Sequence, residues 1–96
     1  MPKVLLYITS KILWIFLFYN TDFQENRAHV HVGKRDTNRL CKIWLEPRIE
    51  LAAQGDLTTT QVNEVIRIAT EYKDILLRQW NAFKKGKVIR MIKIKK

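Results

Sequence analysis

Ala28-His29-Val30-His31-Val32-Gly33-Lys34-Arg35-Asp36-Thr37-Asn38-Arg39-Leu40-Cys41-Lys42-Ile43-Trp44-Leu45 reads as two strands joined by a turn. β-Branched spacers favour extended backbone over Ala28 to Val32, and Gly33 to Asn38 carries the Gly, Asp and Asn of a turn. Strand side chains alternate with a period of two, so His29 and His31 share one face while Val30 and Val32 take the other. In the second strand Cys41, Ile43 and Leu45 form an apolar face, and Lys42, Trp44 and Glu46 form a polar one. Register decides whether that polar face is the one that carries the histidines.

Upstream, Val4 to Tyr7 and Ile12 to Tyr19 are apolar runs broken by Thr9, Ser10 and Lys11. A membrane span needs about 20 nearly uninterrupted apolar residues, and Asn20-Thr21-Asp22 after Tyr19 lacks the small residues of a cleavage site. Two buried strands with a turn at Thr9 to Lys11 account for the same residues, and Asn20 to Arg27 then reads as a polar loop.

Downstream, Pro47 ends the second hairpin strand, Ile49 to Ala52 is a short extended segment or turn, and Gly55 precedes a helix capped by Thr58, Thr59 or Thr60. Val62, Val65, Ile66, Ala69 and Tyr72 recur at helical spacing, and Leu76, Trp80 and Phe83 continue the stripe. Either one kinked helix or two helices fit, the second starting at Asp74 after a break near Tyr72 and Lys73. The fold class is therefore α+β: a small, mostly antiparallel sheet followed by one kinked or two C-terminal helices that cover its apolar face.

With 96 residues the chain has material for a single core. Cys41 is the only cysteine, which excludes an internal disulfide and favours a reducing, cytoplasmic location. The net charge is +9, yet seven of the 18 cations, Lys84, Lys85, Lys87, Arg90, Lys93, Lys95 and Lys96, follow residue 83 with no acid among them. The division is a domain over residues 1–83 and a basic extension over 84–96. Such an extension suits a partner rich in phosphates or acidic groups, or is simply a solvated terminus. Its alternating Val88, Ile89, Met91, Ile92 and Ile94 also fit an added edge strand, an amphipathic piece at a membrane surface or a segment that orders on RNA.

The order of motifs resembles a bacterial domain of unknown function, the family numbered four-one-six-zero. The resemblance rests on Pro2-Lys3-Val4, the aromatic strand ending Phe18-Tyr19-Asn20, His29-Val30-His31, Ile43-Trp44-Leu45-Glu46-Pro47, Leu51-Ala52, Leu76 and Trp80-Asn81-Ala82-Phe83, across residues 2–83. It implies a small cytoplasmic protein, encoded beside a second small protein and belonging to a toxin-antitoxin pair. Arg27 and Ala28 stand where members of that family commonly carry prolines, and Lys84 onward extends past their usual end.

Two functions follow from these residues. In the first, the chain is an RNA-cleaving toxin: one of His29 and His31 acts as general base toward a ribose 2'-hydroxyl, while the other, or Lys42, assists the leaving oxygen. Lys34, Arg35, Arg39, Lys84, Lys85, Lys87 and Arg90 then hold phosphates, and Trp44 stacks an unpaired base. In the second, the chain is a non-catalytic antitoxin or regulator that binds a small partner protein and nucleic acid. The histidines are then a half-buried face packed under a loop, or the interface of a homodimer. No cofactor and no metal are expected, because two histidines alone are a weak zinc signal and a third ligand would have to be Glu46 or Asp36.

Overall fold

The computed structural model describes residues 2–96. Strands β1 (Lys3–Ile8), β2 (Leu13–Leu17), β3 (His29–Gly33), β4 (Cys41–Trp44) and β5 (Glu50–Ala53) are followed by helices α1 (Thr59–Glu71) and α2 (Lys73–Lys84), and then by β6 (Ile92–Lys95). Among the described residues the strands form one sheet in the order β5-β4-β3-β2-β1-β6. Neighbours pair antiparallel except β1 and β6, which run parallel. The α+β class with a mostly antiparallel sheet and two C-terminal helices is thus the observed one.

Local chemistry sets each boundary. Thr9 Oγ1 accepts the amide N–H of Lys11 and of Ile12, closing the β1–β2 turn. Thr58 caps α1 by accepting from the Gln61 amide at 3.2 Å, while the Gln61 side chain accepts from the Thr58 amide at 3.0 Å. The break between the helices falls at Tyr72, whose φ of −107° and ψ of 24° leave the helical region. The apolar runs at the N-terminus are β1 and β2, and among the described residues no helix is long and apolar enough to cross a membrane.

The basic extension folds back. After Gly86, at φ 73°, the chain returns along β1, and Ile92 and Ile94 pair with Leu5 and Tyr7. The edge-strand alternative therefore describes residues 92–95.

The helices cover one face of the sheet. Trp14, Phe16, Val30, Val32, Cys41 and Ile43 are fully buried there against Val65, Ile68, Ala69 and Leu76. Each large side chain removed from water contributes roughly 1.5–3 kcal/mol, whereas a half-exposed surface pair such as Arg27–Glu50 contributes at most about 1 kcal/mol. The helix-covered layer therefore dominates stability. The opposite face, where β1 pairs with β2 through Leu6↔Ile15 and Ile8↔Leu13, is aliphatic and lies beside Lys93 and Lys95 of β6. Leu13 on that face is 38% exposed.

Two predictions follow from the packing. Gly55 sits at φ 62°, and a Cβ there would press into the Arg39 and Leu40 carbonyls, whereas Gly86 has open space around it. Gly55→Ala should lower unfolding free energy by about 2 kcal/mol or more and Gly86→Ala by about 1 kcal/mol or less, read from urea denaturation. Burial pushes the Cys41 thiol up to about 11, so its thiolate is scarce at pH 8. Alkylation there should be at least tenfold slower in the folded chain than in urea, followed by mass spectrometry.

Candidate functional site

The loop between β2 and β3 does more than connect them. Asn20–Gln24 forms a short 3-10 helix that turns one carboxylate inward, so that Asp22 is only 2% exposed. The Asp22 amide donates to the Tyr19 carbonyl at 3.0 Å, and Asp22 Oδ2 accepts the Tyr19 amide at 2.7 Å. The tether fixes the carboxylate over the start of β3. Its Oδ1 lies 3.0 Å from His29 Nε2 and its Oδ2 3.2 Å from His31 Nε2.

Aromatic rings enclose the cluster. His29 is fully buried, with its ring centroid 5.6 Å from Trp44 and 5.0 Å from Trp80. Tyr19 stacks on His31 at 3.9 Å, and the two imidazoles meet edge to face at 5.3 Å. Lys84 closes the loop from the end of α2: its Nζ donates to the carbonyls of Phe23 and Glu25.

Burial raises the Asp22 carboxyl, but the Tyr19 amide and the charges of His29 and His31 outweigh it and hold its pKa below the usual carboxylate value. For His31 burial wins and keeps its pKa below the ordinary imidazole value, against the opposing pull of Asp22. His29 Nδ1 lies 2.9 Å from the Arg27 carbonyl, which can only accept, so Nδ1 carries a proton. The Nε2 atom of the ring is thereby turned toward Asp22. Both Nε2 atoms are buried without an assigned hydrogen-bond partner among the described residues, although each has an Asp22 oxygen within 3.2 Å.

Register gathers four of the expected residues. His29 pairs with Trp44 and His31 with Lys42, which puts both histidines, the lysine and the tryptophan on the face opposite Val30 and Val32, with Trp80 of α2 reaching His29. Lys42 Nζ sits 4.5 Å from the centre of the Trp44 ring and 3.6 Å from Glu25 Oε2. The Arg27 guanidinium lies 4.1 Å from that same ring centre, so Trp44 already holds two cations where a base was expected to stack.

The other expected cations are scattered. Lys34 and Arg35 line an open hollow of about 320 Å³ with Lys11, Ile12, Leu13 and Asp36, between the β1–β2 and β3–β4 turns. Arg39 is bound to Asp56, by its amide at 2.8 Å and its Nε at 2.9 Å. Lys84 is the loop tether, and Lys85, Lys87 and Arg90 are exposed beyond α2.

Sequence reasoning missed Asp22 and Lys11. The available signal for Asp22 was its place three residues after Tyr19 at a strand end, the spacing at which a carboxylate reaches back to a backbone amide. It is Asp22, and not Glu46 or Asp36, that joins the histidines. Such a cluster can hold a proton or a cation among two ring nitrogens and a carboxylate.

A family model described as a domain of unknown function, DUF4160, matches residues 14–81. No curated protein and no solved structure matches the chain. That match runs from Trp14 in β2 to Asn81 in α2 and takes in the 3-10 turn, both histidines and the two helices, and so the chain belongs to the DUF4160 family.

Proposed function

We propose that the chain is a non-catalytic binding module, one half of a toxin-antitoxin-like pair, which holds RNA through cations placed at its turns. The observation that carries this reading is the hollow of about 320 Å³ in which Lys11, Lys34 and Arg35 surround Ile12 and Leu13, with Asp36 as the one acid. Three cations around a shallow apolar floor suit phosphates on either side of an unpaired nucleotide.

The histidines support binding over cleavage. His29 is 0% exposed and His31 7% exposed, so their ring nitrogens lie behind protein where a ribonuclease needs them beside a ribose 2'-hydroxyl. The aliphatic face of Leu6, Ile8, Leu13 and Ile15 suits a partner protein, and the neighbouring Lys93 and Lys95 favour an acidic one. A second copy would set lysine against lysine. The cleavage reading keeps one observation in its favour, the compact Asp22-His29-His31 cluster with Lys42 on the same face.

Fluorescence anisotropy with a labelled single-stranded RNA tests the proposal over a salt series of about 50 to 200 mM. The triple variant Lys11→Gln, Lys34→Gln, Arg35→Gln should bind at least about tenfold more weakly at low salt. Its slope of log affinity against log salt should fall by about 2, from roughly 0.7 for each lost phosphate contact. Unchanged affinity and slope would refute the role of the hollow. Total bacterial RNA incubated with the native chain, with or without a chelator, should stay intact. Cleavage that disappears in the His29→Ala, His31→Ala double variant would establish the ribonuclease reading in its place.

A further inference from the structure

We propose that Asp22, His29 and His31 form a site for one divalent transition-metal ion of the zinc class, which pins the 3-10 turn to the start of β3. Expecting no metal rested on the want of a third ligand beside the histidine pair. Asp22 supplies it, and the ligand atoms of all three residues lie within 4.8 Å of one another.

Three features of the cluster ask for a cation. First, His29 Nδ1 is committed to the Arg27 carbonyl at 2.9 Å, which leaves Nε2 to face Asp22 Oδ1 only 3.0 Å away. A carboxylate oxygen and an imidazole nitrogen at that distance in a buried site share either a proton or a cation, and the same Nε2 that takes the proton can take a metal ion in its place. Second, the Nε2 atoms of both histidines are buried and make no hydrogen bond among the described residues. Third, the separations fit. Separations of 3.0 and 3.2 Å between nitrogen and carboxylate oxygen subtend roughly 85–105° at an ion with bonds of about 2.0–2.2 Å.

The surroundings are those of a metal-bound imidazole. An Nδ1–H donated to a backbone carbonyl fixes the tautomer and orientation of the ring, and the Tyr19 amide does the same for the carboxylate at 2.7 Å. Two imidazole nitrogens with one carboxylate select a borderline ion such as Zn²⁺ or Co²⁺, since Ca²⁺ and Mg²⁺ prefer all-oxygen sets. The nearest cation, Lys42, is offset by Glu25 at 3.6 Å. With Asp22 and both histidines nearly closed to solvent, the ion would act as a clasp between loop and strand.

The test uses the whole chain, stripped with a chelator and titrated with zinc chloride. Calorimetry should show one equivalent bound and the thermal midpoint should rise, with affinity at least about 100-fold weaker in His31→Gln. Circular dichroism checks that this variant is folded. Histidine ring ¹⁵N spectra of the native chain give a readout that needs no variant. One equivalent of zinc should move the Nε2 resonances of both His29 and His31 into the metal-bound range while the His29 Nδ1 stays protonated. The proposal is overturned if neither resonance moves at millimolar zinc, or if folded His31→Gln binds as tightly as the native chain. Because RNA is absent throughout, the outcome is independent of the RNA-binding reading.

Discussion

A single buried carboxylate sets the conditions for one whole end of this molecule. Asp22 is held out of water by the turn that carries it, and a carboxylate in that position is costly unless donors and positive charge gather round it. The Tyr19 amide and the two imidazoles of β3 meet that demand, while Lys84 of α2 holds the loop in place through the Phe23 and Glu25 carbonyls. The path of the loop, the seating of Tyr19 on His31 and the closeness of α2 to the loop are parts of one arrangement. Loosening any of them exposes or orphans a charge.

The two faces of the sheet divide the labour. The helix-covered face supplies stability, through rings and branched side chains removed from water. The other face and its turns carry an aliphatic patch, a cluster of cations and a closed histidine cluster in separate places. Charge on this chain matters by position more than by amount. Arg39 and Lys84 are held in contacts within the protein, while Lys11, which the overall charge balance does not single out, lines the hollow with Lys34 and Arg35.

Much of the fold is legible in the sequence for local reasons. The period of two in His29-Val30-His31-Val32 and in Cys41 to Leu45 needs only strand geometry, and the pairing His31↔Lys42 places the polar faces together. The stripe from Val62 to Trp80 likewise follows from spacing alone, and of the three threonines able to cap α1 the structure selects Thr58. Asp22 was hidden because its burial depends on contacts to strand β3 and, through Lys84, to a residue some sixty positions away. A loop that looks polar gives no hint that one of its carboxylates points inward. Asp74 shows the converse: it lies in the first turn of α2, but the helix begins at Tyr72 without a side-chain cap. The alternation in residues 88–94 fitted several environments, and only the proximity of β1 selected one of them.

The placement of β6 joins the two ends of the chain. Ile92 lies beside Leu5 and the Lys96 amide donates to the Ile8 carbonyl at 2.8 Å, so β1 and β6 pair across almost the whole described chain. Contacts spanning nearly the full sequence are slow to form, because a long loop must close before they reward the closure. Without β6, β1 would present an open hydrogen-bonding edge beside an aliphatic surface, which is the kind of edge that pairs with other chains. Pairing with β6 therefore covers the edge of β1 and moves the free edge of the sheet to a strand in which lysine alternates with isoleucine, a less inviting template for another chain.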